Sequence, residues 1–249
     1  MSKAYASELV KVAKNEVGYL EKKSAKSEES KTANAGSNNY TKYGRWLSCD
    51  GAYWCASFVS WCFMSAFGSD KGKSLLGGYS ASCEVIRNAM AGKGAYHARG
   101  KHTPEAGDVI FFSGTRHSGA NHIGIVTKCA DGKVYTVEGN TSGGSSVIDN
   151  GGGVAAKSYA LTNSRILGYG CPDYDSKEFD TMDMPSIKYA STGAHVKTLQ
   201  AVLKSKYSRD LSVDGDFGTN TTKQLKAVQK QLGLSQDGIC GSKTWAAIL

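Results

Sequence analysis

The chain has 249 residues, 40% of them hydrophobic and 10% aromatic, with a formal net charge of +8 and a pI near 9.0. That length suits two domains with real cores, and the lack of any run of eighteen or more apolar residues excludes a membrane-spanning helix. No RNP-like motif, basic helix or zinc finger accompanies the charge, so it is read as suiting an anionic polymer such as a bacterial wall rather than nucleic acid.

The N-terminal MSKAYASELVKVAKNEVGYL is charged and helix-patterned. Residues 4–17 are predicted as an amphipathic helix with Ala6, Leu9, Val10, Ala13 and Val17 inward. The segment lacks the apolar core of a secretory signal, so no Sec export is expected. Seven cysteines without a CxxC or a paired histidine do not describe a zinc site, and without export they are expected to be reduced thiols. EKKSAKSEESKTANAG reads as an exposed loop. SNNYTKYGRW reads as a packed turn, one wall of a cleft, or both.

YWCASFVSWC, 53–62, then places a cysteine at the head of an apolar run, with Phe58, Val59, Cys62, Phe63 and Ala66 at helical spacing. At a helix N-terminus free N–H groups and the dipole favour an anion, and a thiolate is one. Cys62 reads as an inert core thiol. Ser82 is a plausible N-cap of a short helix to about Ala91, burying Val85, Ile86 and Ala89.

From there short β-branched and aromatic runs follow: 108–112, 122–128, 133–139, VAAKSYA and RILGYG. Asp131-Gly132 is a hairpin turn, and 140–153 is a glycine-rich loop. Helices followed by an antiparallel sheet make the region 1–172 α+β. The acidic stretch 173–186 is read as a linker. In 187–249 three helices are expected, over 194–207, 219–232 and 242–249, with VDGDFGTNT and QDGICGSKT as an internal repeat. This small module holds no catalytic cluster and is read as a binding domain.

A cysteine nucleophile needs a base, and the base needs a group to hold its ring. Of five histidines, only His122 opens a strand; His97, His102 and His117 are assigned to loops and His195 to the second module. If the runs beginning at 122 and 133 pair through Asp131-Gly132, Glu138 comes close to His122, with Asn140 two residues on.

WCASFVSWC, GDVIFF, HIGIV and VEGN, in that order, resemble the motifs of the CHAP family, the cysteine- and histidine-dependent amidohydrolases/peptidases. NNYTKYGRW also resembles members found in phages and their Gram-positive hosts. The resemblance covers roughly the first 170 residues. It implies a papain-like α+β domain with Cys55 as nucleophile, His122 as general base, and Glu138 or Asn140 as the orienting residue. The second module is similar to peptidoglycan-binding domains of the three-helix type, with Cys240 where the first repeat has Phe217. SNNYTKYG stands where calcium-binding members carry an Asp-rich segment, so no metal or cofactor is expected. The implied protein is a phage endolysin acting on Gram-positive peptidoglycan. It would be held in the host cytoplasm until a holin admits it to the wall, and would cleave as an N-acetylmuramoyl-L-alanine amidase or an endopeptidase. The alternatives are a host autolysin and a non-catalytic wall-binding structural or tail protein.

Overall fold

The computed structural model describes residues 2–114, 116–144, 146–148, 150–175 and 184–249. They fall into two units, Met1–Tyr174 and Asp175–Leu249.

In the first unit, α1 (Ser2–Asn15) buries Ala6, Leu9, Val10 and Ala13 as their spacing requires. Val17 does not join them. The helix ends at Asn15, the chain turns through Gly18 at φ 89°, and Val17 is left 37% exposed. The polar stretch that follows is not simply exposed: Glu21, Lys22 and Glu28 are buried. The Lys22 ammonium donates to the Lys31 carbonyl at 3.0 Å and lies 4.4 Å from the Tyr19 ring centre. Satisfying a buried charge in this way is what allows a lysine into a core.

The short helix α2 (Lys42–Trp46) is capped by Thr41, whose Oγ1 accepts the Gly44 N–H at 2.9 Å. It brings Tyr43 into the interior, stacked on Trp54 at 5.5 Å, with its hydroxyl donating to Glu16 Oε2 at 2.6 Å. SNNYTKYGRW is therefore a packed support. α3 (Cys55–Phe67) is buried on nearly every side through its first eight residues, because α1 covers it on one flank and the sheet on another. α4 (Ser69–Leu76) was not legible in a Gly- and Ser-rich stretch; it buries Leu75 and Leu76 and closes on left-handed Gly77. α5 (Cys83–Gly92) has Ser82 as N-cap, accepting the Val85 N–H. Its inner stripe is Cys83, Ile86 and Met90, at i, i+3 and i+7, so the expected Val85 instead points outward at 55% exposure.

Six antiparallel strands follow: β1 (Tyr96–Ala98), β2 (Val109–Ser113), β3 (Ala120–Ala130), β4 (Lys133–Thr141), β5 (Gly153–Ala160) and β6 (Ile166–Gly170). Their order is β1-β6-β2-β3-β4-β5. β1, only three residues long, carries His97 and was invisible as a pattern. The β3–β4 hairpin turns on Asp131 and Gly132, both with positive φ (52° and 70°), as a two-residue turn of matching twist requires. β2 is buried on both faces, as is the first half of β3. Helices α3 and α5 pack on the sheet. Ile110, Phe112, Val126, Val134, Tyr159 and Ile166 form a further cluster. This is an α+β unit.

Among the described residues of the second unit there are three helices, α6 (Ala194–Tyr207), α7 (Thr219–Gln231) and α8 (Ser242–Ile248). Val196, Leu199, Leu203, Leu225, Val228 and Trp245 form its core. The sequence repeat is a structural one. Gln200 Nε2 donates to Asp214 Oδ1, the Asp216 carbonyl and Thr221 Oγ1, while its Oε1 accepts the Gly215 N–H at 2.9 Å. Gln229 repeats this with Asp237, Ile239, Thr244 and Gly238. Phe217 and Cys240 occupy equivalent buried places, each paired through its backbone to the entering segment, at Ser191 and Ile187. The ends of the expected linker belong to the units. Tyr174 is buried, donating to the Gly107 carbonyl at 2.9 Å, and Pro185 accepts the Trp245 indole N–H at 3.0 Å. The rest of the expected linker, residues 176–183, lies outside the described residues.

Candidate active site

Cys55 is the first residue of α3. Trp54 precedes it as N-cap without a side-chain capping bond, so the first-turn N–H groups are not claimed by that side chain. The Trp54 indole instead donates to buried Glu21 Oε2 at 3.0 Å and stacks on Tyr43, which fixes the elbow in front of the cysteine.

His122 lies on β3 opposite Phe112, and Glu138 on β4. Both side chains are fully buried, and the imidazole Nε2–H donates to Glu138 Oε2 at 2.9 Å. The carboxylate is held in turn by the Tyr159 hydroxyl at 3.1 Å and the Thr136 hydroxyl at 2.5 Å. Two glycines of the sequence motifs make this possible. A Cβ on Gly124 would sit 2.5 Å from Glu138 Cγ, and one on Gly139 would sit 2.5 Å from Phe58 Cβ on α3. Gly124 leaves room for the carboxylate; Gly139 lets α3 close onto β4.

With Nε2 committed to Glu138, Nδ1 has no hydrogen-bond partner of ordinary geometry. The imidazole and the Cys55 thiol perturb each other. The Cys55 proton is held well below the usual thiol range, chiefly because Cys83 hydrogen-bonds the sulfur; burial opposes this, while the His122 imidazole and Arg116 add to it. Burial works against a proton on His122, but Cys55 and Glu138 outweigh it and raise the imidazole to about 9. Both shifts favour a thiolate beside an imidazolium over a neutral thiol and imidazole. Asn140 does not share Glu138's place. A shift of register between Glu138 and Thr141 and a φ of 53° at Asn140 carry it aside, and its buried amide makes no hydrogen bond.

Beside the sulfur opens a cleft of about 320 Å³, lined by Tyr53, Cys55, Ser82, Cys83, Arg116 and Asn121. Buried Asn121 folds the rim, its Oδ1 accepting the N–H groups of Arg116 and His117 and its Nδ2 donating to the carbonyls of His117 and Gly119. The Arg116 guanidinium lies 4.2 Å from the Tyr53 ring centre. Cys83, Arg116, Asn121, Thr136 and Tyr159 were not singled out from sequence. Of these, Asn121 alone had a signal, as the residue before His122 in NHIGIV. Away from the cleft, donor atoms of His102, Asp108 and Cys171 lie within 4.8 Å of one another, but His102 Nε2 is already bonded to Asp108 Oδ2 at 2.7 Å.

Residues 48–140 match the family model described as CHAP domain, and residues 192–248 match that of a putative peptidoglycan binding domain. The chain joins a CHAP domain to a peptidoglycan-binding domain. The CHAP match runs from the residues before Cys55 to Asn140, so it spans Cys55, His122 and Glu138. Among solved structures the chain is similar to the endolysin of Burkholderia phage AP3, with 33% identity over 26% of this chain and 24% of that one (TM-score 0.25). It is also similar to the SleB N-terminal domain, with 35% identity over 25% and 85% (TM-score 0.24). A third is Ly7917, with 12% identity over 68% and 62% (TM-score 0.41). The chain thus spans about a quarter of the AP3 endolysin (24%). No curated protein matches it.

Proposed function

We propose that this chain is a peptidoglycan hydrolase in which residues 1–172 cut an amide bond through Cys55 and residues 187–249 hold the enzyme on the wall. The observation that carries the reading is the buried line of Cys55, His122 and Glu138 beside an open cleft. The Cys55 thiolate attacks the amide carbonyl carbon, and N–H groups at the first turn of α3 receive the oxyanion. His122, already protonated, gives its proton to the leaving amine as the C–N bond breaks, leaving a thioester on Cys55. The imidazole then takes a proton from water, hydroxide attacks the thioester, and the free carboxylate departs with the thiolate restored. Glu138 holds the ring so that one nitrogen faces the sulfur.

The scissile bond is that of an N-acetylmuramoyl-L-alanine amidase or a peptide endopeptidase. The wall module raises local enzyme concentration at an insoluble substrate. The protein acts as a phage endolysin on a Gram-positive wall, waiting in the host cytoplasm until a holin opens the way. Seven free cysteines suit that reducing compartment. Cys55→Ala is expected to abolish release of new amino and carboxyl termini from purified walls while wall binding persists. Release at the wild-type rate would remove Cys55 from the mechanism.

A further inference from the structure

Cys83 forms and breaks no bond in the acyl transfer beyond its hydrogen bond to the Cys55 sulfur, which lies 3.5 Å from its own. The two are 28 residues apart in the chain. Each is the first residue of its own helix, Cys55 of α3 and Cys83 of α5, and these helices pack on one another. Both thiols are nearly buried, at 2% and 6% exposure, but both line the cleft that a small solute enters. A disulfide needs sulfurs at about 2.05 Å, so from 3.5 Å the pair must close by about 1.5 Å.

We propose that Cys55 and Cys83 form a reversible oxidation site, at which hydrogen peroxide converts the two thiols to a disulfide that switches hydrolysis off and shields Cys55 from irreversible oxidation. The Cys55 thiolate attacks one peroxide oxygen; an S–O bond forms, the O–O bond breaks and hydroxide leaves. That hydroxide takes the proton of Cys83 and becomes water. The Cys83 sulfur then attacks the Cys55 sulfur; the S–S bond forms and the S–O bond breaks. The second hydroxide leaves with the proton of the His122 imidazolium as a second water. Two electrons pass from the two sulfurs to the peroxide, and a dithiol reductant returns them. This rests on Cys55 being the reactive thiol of the proposed hydrolase, but the cross-link is read by mass, independently of hydrolysis.

The test uses the full chain, reduced and then exposed to a small excess of hydrogen peroxide, with intact mass, peptide mapping and wall hydrolysis followed together. The wild type is expected to become lighter by two hydrogens, to yield a peptide joining residues 55 and 83, and to lose activity about tenfold or more, recovering with dithiothreitol. Cys83→Ser and Cys83→Ala, each scored against its own untreated activity, are expected to gain two or three oxygens on Cys55 and to stay inactive after dithiothreitol. Should either variant fold poorly by circular dichroism, the wild-type peptide map decides alone. Oxygen atoms accumulating on wild-type Cys55 without the cross-linked peptide, or Cys83 variants that recover as the wild type does, would overturn the proposal. A cross-link in a protein that hydrolyses no wall would leave the oxidation site standing and remove the hydrolase reading instead.

Discussion

Replacing Glu138 with Gln probes the catalytic line with the least change of shape. The carboxylate accepts three hydrogen bonds, from His122 Nε2–H, the Tyr159 hydroxyl and the Thr136 hydroxyl. A glutamine can keep its carbonyl oxygen toward His122 and Tyr159 and turn its NH₂ to Thr136, whose hydroxyl also accepts. Packing and ring orientation are thereby retained, and the negative charge is lost. Glu138 is one of the groups that raise His122 to about 9, so the imidazole proton is held less tightly in the variant. In the proposed mechanism the imidazolium protonates the leaving amine, so activity is expected to fall as pH rises through that value. The basic limb of the kcat/KM profile should therefore move to lower pH. A hydrogen bond to a charged group contributes about 1.5–3 kcal/mol, which corresponds to a downward shift of roughly one to two pH units. The same energy lost in the transition state gives a drop of about 10- to 100-fold in kcat/KM below the limb. The assay is initial turbidity loss of purified walls across pH 5–10, with fold checked by circular dichroism. A folded variant whose basic limb stays in place and whose kcat/KM is within a factor of two of wild type would refute this role for Glu138.

Two further predictions concern what holds each unit together. Gly139→Ala drives a methyl to 2.5 Å from Phe58 Cβ and 2.9 Å from the Trp54 ring, atoms with little freedom to retreat; a loss of about 1–3 kcal/mol or more is expected from overpacking, seen as a lower melting temperature and lost hydrolysis. Gln229→Ala empties a four-bond network around Asp237, Gly238, Ile239 and Thr244; about 1–3 kcal/mol should be lost for the buried N–H left without a partner. In a sedimentation assay that variant should bind walls less well at raised temperature, while hydrolysis of a soluble muropeptide is spared. Unaltered binding across the melting range of the wild type would count against the network.

Much of the architecture is legible along the chain because it is written in near neighbours. Helical spacing marks α1, α3 and the three helices of the second unit. β-branched runs mark the five longer strands, and Asp131-Gly132 marks the hairpin that brings His122 beside Glu138. The misses have local causes too. α4 has a polar, glycine-containing sequence, and tertiary burial of its Leu75-Leu76 end supports it. β1 is too short to show alternation. The polar stretch after α1 is pinned by contacts with Tyr19 that composition does not reveal.

Sequence by itself determined the order of the elements other than α4 and β1, the repeat of the second unit and the residue types available for cysteine chemistry. Tertiary structure alone decided which of them meet. Glu138, and not Asn140, holds the imidazole because a local slip of register turns the later residue away. Cys83 touches the Cys55 sulfur because two helices, separated in the chain by a third, begin at the same cleft. Side-chain pattern encodes which face of an element is buried; what that face finds there depends on how distant elements pack, and no neighbouring residue carries that information.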